Sequence, residues 1–222
     1  MLNYLNTINT KKIEKLPLFI TLTYPDEFPK NPRTWKGDFN QRWCRRLERK
    51  YGRIPMIWRL ELQDRKSGKN AGEIAPHFHL LLFIDLDEKE IPEFRRWLSK
   101  SWYESCGKLD PLHLQAGTNA KPMQSWRQVT GYLSKYMAKP ETLAKGYESP
   151  GRFWGKRNAS SIPTDPVMTS VDYETSVKIK RVLRKYSKMR KGTTFRKPSG
   201  VSVYVGDGAM RRLLDFHGYY RN

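Results

Sequence analysis

The sequence predicts an α+β fold, with helices packed on an antiparallel sheet and a basic helical extension toward the C-terminal end. Three observations carry this. Short β-branched and aromatic runs bounded by turn residues mark strands at Leu18 to Tyr24, Pro55 to Gln63 and Pro76 to Asp85. Apolar residues recur at helical spacing in the segments that separate and follow these strands. A polar, Gly-containing stretch from Asp64 to Ala75 is too short for a crossover, so it joins two strands as an antiparallel hairpin.

Taken in order, residues 1–16 are polar and basic and form a flexible arm. Leu18 to Tyr24 (LFITLTY) is a strand stopped by Pro25-Asp26. Trp35, Phe39, Trp43 and Leu47 then repeat at helical spacing, with Arg42, Arg45, Arg46 and Arg49 on the outer face and Gly52 near the end. Pro55 to Gln63 (PMIWRLELQ) is a second strand that places Arg59, Glu61 and Gln63 on one face. Across the hairpin comes His77-Phe78-His79-Leu80-Leu81-Leu82, whose alternation turns both imidazoles to the same side. Pro92 suits the first turn of a helix whose apolar stripe is Phe94, Trp97, Leu98 and Trp102. A shorter strand lies between Leu112 and Met123. The resulting order, β-α-β-β-α-β, is the ferredoxin-like arrangement, with the first and third strands central. A hairpin symmetric about residue 70 would set Glu61 opposite His79 and Gln63 opposite His77.

Ser125 and Gln128 form a capping box that opens a helix running to about Lys139, with Pro140 to end it. Trp126, Val129, Leu133 and Met137 share one side of it. Tyr132, Lys135, Tyr136 and Lys139 share a neighbouring side. Residues 151–155 and the Pro-containing 160s read as irregular. Asp172 caps a final long helix with Ile179, Val182, Leu183 and Tyr186 as its seam. Val201 to Val205 suggests a strand, and Ala209 to Phe216 a short helix.

Composition narrows the partner. The chain has 222 residues, 42 Lys and Arg against 22 Asp and Glu, and a net charge of +20. Such a balance calls for a polyanion, and nucleic acid is favoured over an acidic membrane. No apolar run reaches membrane-spanning length, and no signal-peptide core precedes the first strand. Cys44 and Cys106 sit in helical patterns without a CxxC pair, as reduced core thiols of a cytoplasmic protein do. Lys178, Arg181, Arg184, Lys185 and Lys188 belong to a cationic run from Lys178 to Lys197 that holds no acid. Such a run repels itself without a counterion, so it joins Arg42, Arg45 and Arg46 as the expected nucleic-acid contacts.

Two imidazoles side by side on a strand make a poor core and a good start to a metal site. With one carboxylate they leave coordination positions open, as a catalytic ion requires. A phenol becomes a nucleophile when its proton is removed or its oxyanion is stabilised. Lys135 and Lys139 lie where they could do this, or could bind flanking phosphates. Together these groups suggest in-line attack by tyrosinate on a phosphodiester. Gly151 to Lys156 is one residue short of a phosphate-binding GxxxxGK[ST] loop, so ATP binding and a built-in helicase are rejected.

With these residues in hand, the chain resembles a rolling-circle replication initiator of the HUH endonuclease superfamily. Phe19-Ile-Thr-Leu-Thr-Tyr24 is similar to the first-strand motif, and His77-Phe78-His79 to the His-hydrophobe-His motif. Tyr132-Leu-Ser-Lys-Tyr136-Met-Ala-Lys139 is similar to the tyrosine helix. Histidines ahead of tyrosines is the initiator order, and two tyrosines four apart resemble the two-tyrosine phage initiators. The likeness implies three segments: the arm at 1–16, an endonuclease domain at 17–140 and a basic extension at 141–222. It further implies Mg²⁺ or Mn²⁺ on Glu61, His77 and His79. A tyrosine would nick single-stranded DNA at an origin, keep the 5′ phosphate as an ester and free a 3′ hydroxyl. Tyr132 is slightly preferred as nucleophile, since Gly131 beside it leaves room for DNA. Flanking duplex and a host helicase and polymerase are the implied partners. An HUH transposase, a non-catalytic binding module and a plain metal-dependent hydrolase are the competing readings.

Overall fold

The computed structural model describes residues 2–5, 7–65, 70–108, 110–132, 136, 149–164 and 172–191. Asn9–Thr164 forms one compact unit, and Leu2–Ile8 with Asp165–Asn222 forms a second.

The first unit is built on a five-stranded antiparallel sheet of β1 (Leu18–Thr23), β2 (Met56–Asp64), β3 (Ile74–Leu82), β4 (Thr118–Pro122) and β5 (Trp154–Arg157), in the order β4-β1-β3-β2-β5. The two central strands are those expected, and the first four follow the ferredoxin-like order. β5 is a correction: residues 154–157, read from sequence as irregular, add an edge strand to β2. Gly155 permits this, because a Cβ there would sit 2.7 Å from the Trp58 ring. The glycine reflects close backbone approach and not phosphate binding.

Alternation divides the sheet into two faces. Leu18, Ile20, Leu22, Trp58, Leu60, Phe78 and Leu80 point into the main core. Helices cover that face. The segment expected as one helix is α2 (Pro32–Gly37), a π-helical turn at Asp38–Trp43 and α3 (Cys44–Tyr51), with Gly52 closing it at φ 83°. The π turn still brings Phe39 and Trp43 inward. Phe39 stacks on Phe78 at 4.3 Å, and the buried Asp38 accepts from the Tyr24 hydroxyl at 3.0 Å. α4 (Ile91–Ser105), with Pro92 in its first turn, adds Phe94, Leu98 and Trp102. Cys44 and Cys106 are buried free thiols, and burial pushes Cys44 up to about 12.

A short α5 (Pro111–Ala116), capped by Asp110, precedes β4 and has no counterpart in the sequence reading. α6 (Trp126–Tyr132) begins where the capping box predicts. The Gln128 amide donates to Ser125 Oγ at 3.2 Å, but the Gln128 side chain accepts from the Gln124 amide instead of the Ser125 amide. The second unit contains α1 (Leu2–Leu5), within the expected arm, and α7 (Tyr173–Lys191), whose Thr175 amide donates to the predicted cap Asp172 at 2.9 Å. The strand and helix expected after residue 200 lie outside the described residues.

Candidate active site

On the face away from the main core, β1, β2 and β3 align their odd-numbered residues in rows. One row runs Thr21, His79, Arg59, and the next runs Thr23, His77, Glu61. The register therefore differs from the symmetric hairpin: Glu61 pairs with His77, and Arg59 with His79. A displacement of two residues preserves side-chain parity, so all the expected groups stay on one face. Glu61 then reaches His79 on the diagonal, with Oε2 at 2.8 Å from Nε2.

Each imidazole is held from behind by a β1 hydroxyl. Thr21 Oγ1 lies 3.2 Å from His79 Nδ1, and Thr23 Oγ1 lies 3.0 Å from His77 Nδ1. Hydroxyl contact at Nδ1 fixes ring orientation and leaves Nε2 as the outward nitrogen, as partners of metal-binding imidazoles do. The two rings are parallel within 6°, with centroids 6.3 Å apart. Behind Thr23, its carbonyl accepts from Trp102 Nε1 at 2.8 Å and from His113 Nε2 at 2.6 Å. The end of β1 is thus tied to both α4 and α5.

The tyrosines approach along the adjoining row. Phe19, Leu81, Met123 and Val129 form a small second core beneath α6, against which Tyr132 and Tyr136 pack. Tyr136 lies 4.6 Å from the His79 ring, centroid to centroid. Tyr132 lies 4.6 Å from Phe19 and 5.8 Å from Tyr136. Its hydroxyl accepts from Lys121 Nζ at 3.0 Å. Paired imidazoles, a carboxylate and two phenols are thereby gathered on one sheet face.

The model of one protein family, that of the replication-associated protein ORF2, matches residues 17–141. The chain belongs to this family. That membership supports a role as a replication initiator and is consistent with the rolling-circle type. No curated protein matches the chain. Among the described residues, no helix is long and apolar enough to cross a membrane.

In this replication-associated protein the donors suit a divalent ion in kind. They are two imidazoles and a carboxylate. The Glu61–His79 spacing of 2.8 Å is close to the roughly 3 Å that separates neighbouring ligands on an octahedral ion with bonds of about 2.1 Å. Among the described residues, however, no three His, Cys, Asp or Glu side chains converge on one ion-sized point. Glu61 is hydrogen-bonded to His79, and the parallel rings hold His77 to one side.

Other expected site residues are placed differently. Arg42, Arg45 and Arg46 belong to the helical layer on the opposite face of the sheet. Arg42 pairs with Asp38 at 3.0 Å and donates to the Ser105 carbonyl at 3.2 Å, and Arg46 pairs with Glu104. Arg45 is exposed. On α7, Lys178 pairs with Glu174 at 2.7 Å and Arg181 is exposed. The side chains of Arg184, Lys185 and Lys188 lie outside the described residues, as do Lys135 and Lys139. Sequence reasoning missed Thr21, Thr23 and Lys121. The i, i+2 threonines of β1 match the i, i+2 histidines of β3 and were findable from that pattern. Lys121 was not, because the bounds of β4 were open.

Proposed function

We propose that this replication-associated protein nicks and rejoins single-stranded DNA at an origin through a tyrosyl ester of the 5′ phosphate. The observation that carries the reading is the 4.6 Å approach of Tyr136 to His79, whose Nε2 meets Glu61. It is hard to explain as packing alone, since the same small cluster offers apolar surface at Leu81 and Met123.

Glu61, His77 and His79 would hold Mg²⁺ or Mn²⁺, which when bound supplies charge stabilisation to a phosphodiester oxygen. Thr21 and Thr23 keep the imidazoles aimed outward. Phe19 supports both phenols from below. In cleavage the phenolic oxygen bonds to phosphorus and loses its proton to solvent. The bond from phosphorus to the 3′ oxygen breaks, and that oxygen leaves as a hydroxyl after taking a proton from water. Attack by a 3′ hydroxyl on the tyrosyl ester reverses these changes and joins strands. Tyr136 is assigned to the first cleavage because of its place beside His79. The exposed cations and the net charge of +20 favour DNA as the polyanion, and duplex opening falls to a host helicase.

A labelled single-stranded origin oligonucleotide incubated with Mn²⁺ is expected to be cut at one position. Chelator should stop cleavage and leave binding in place. A non-catalytic binding module would instead bind with strong salt dependence and never cut, with or without metal.

A further inference from the structure

The two phenols have different surroundings, and one of those surroundings is built by a residue outside the tyrosine helix. Lys121 stands on the edge strand β4, directly opposite Phe19 in the ladder. Its ammonium donates to the Tyr132 hydroxyl at 3.0 Å and lies 5.3 Å from the Tyr132 ring centroid. Phe19 packs against the same ring at 4.6 Å. Tyr132 is therefore fixed by an aromatic wall and by a cation at its oxygen. The space beside it is open, because a Cβ built on Gly131 meets no described atom within 4 Å. Tyr136, by contrast, rests on His79.

We infer that Lys121 is the positioning residue of Tyr132 and that Lys121 with Tyr132 forms a second phosphate-attack station at the β4 edge, distinct from the Tyr136 station at the imidazoles. This deepens the nickase reading and rests on it. At the second station the Tyr132 oxygen bonds to the phosphorus of a DNA phosphodiester, and the phenolic proton goes to solvent. The bond to the departing 3′ oxygen breaks, and that oxygen takes a proton from water. Lys121 stays an ammonium throughout. It holds the phenolic oxygen in place and supplies positive charge beside the anionic phosphate. A neutral side chain of similar length can fill the space but cannot do either, whereas a guanidinium can do both.

The test is peptide mass spectrometry of the protein after reaction with single-stranded origin DNA and Mn²⁺. Cleavage at Lys135 separates the Tyr132 peptide from the Tyr136 peptide, so the nucleotide-bearing share of each can be read. Wild type is expected to carry DNA on both phenols. In Lys121→Met the Tyr132 share should fall by at least about tenfold relative to Tyr136, and Lys121→Arg should restore it. Exposure of Lys121 at a sheet edge makes both variants compatible with folding. An unchanged ratio in Lys121→Met overturns the inference, as does wild-type adduct confined to Tyr136, and both leave the nickase reading standing. Absence of any adduct in wild type overturns both.

Discussion

Tyr136 lies against His79, with ring centroids 4.6 Å apart and planes inclined by 37°. The contact links the last strand-borne residue of the imidazole pair to a helix that lies far along the chain. It depends on Phe19, which stands 5.8 Å from His79 and 5.3 Å from Tyr136.

Phe19 is therefore expected to matter twice. Phe19→Ala removes a buried ring and should cost about 3 kcal/mol or more of folding stability. Phe19→Leu retains most of the volume and should cost less than about 1.5 kcal/mol. It should still lower covalent capture of DNA, because the phenols lose their ring support. Denaturant unfolding of both variants, set beside DNA capture, separates the two effects. Full DNA capture by Phe19→Leu would count against the supporting role.

Metal affinity should follow the sheet face. Glu61→Gln and His79→Ala are expected to weaken Mn²⁺ binding most. Thr21→Val, isosteric but lacking the hydroxyl on His79 Nδ1, should weaken it by about tenfold, as lost outer partners of imidazole ligands do. Isothermal titration with Mn²⁺ reads this without DNA. Wild-type affinity in Glu61→Gln and His79→Ala would remove these residues from the site.

Much of this face was legible in the amino-acid order itself. Strand alternation alone put His77 with His79 and Glu61 with Arg59, and parity protected that grouping when the hairpin register moved by two residues. The capping residues Ser125 and Asp172 and the first-turn Pro92 also declared their helices locally. The remainder was decided by tertiary contact. Trp154–Arg157 reads as irregular beside two glycines, yet it pairs with β2 because Gly155 lets it close on Trp58. Arg42 and Arg46 read as a solvent-facing cationic stripe, yet each found an acid, Asp38 and Glu104, that spacing along the helix could not single out as its partner. Lys121 had no pattern to betray it.

The β5 edge should be held by Glu48. Arg157 donates to its two carboxylate oxygens at 2.8 and 2.9 Å, and Asn158 Nδ2 donates at 2.9 Å. These bonds, Arg157 first, pull the Glu48 carboxyl down to about 2. Glu48→Ala is expected to cost about 1–2 kcal/mol in denaturant unfolding. A cost near zero would show that β5 is held by its ladder alone.

His113 should make stability pH-dependent. Burial lowers its pKa below 6.5, partly opposed by its bond to the Thr23 carbonyl. The unfolded chain then takes up the proton first as pH falls. The contribution is complete above 6.5 and is lost as pH drops through the folded value. Unfolding midpoints at about pH 7.5 and about pH 5.5 should differ more in wild type than in His113→Gln. Equal differences would exclude His113 as the source.

The intact mass of the protein after incubation with single-stranded origin DNA and Mn²⁺ tests the central claim most directly. The expected result is a rise equal to the 3′-side fragment with its 5′ phosphate, lost in the Tyr132→Phe, Tyr136→Phe double variant. Cut DNA with an unchanged protein mass, or the same rise in the double variant, would contradict the tyrosyl-ester mechanism.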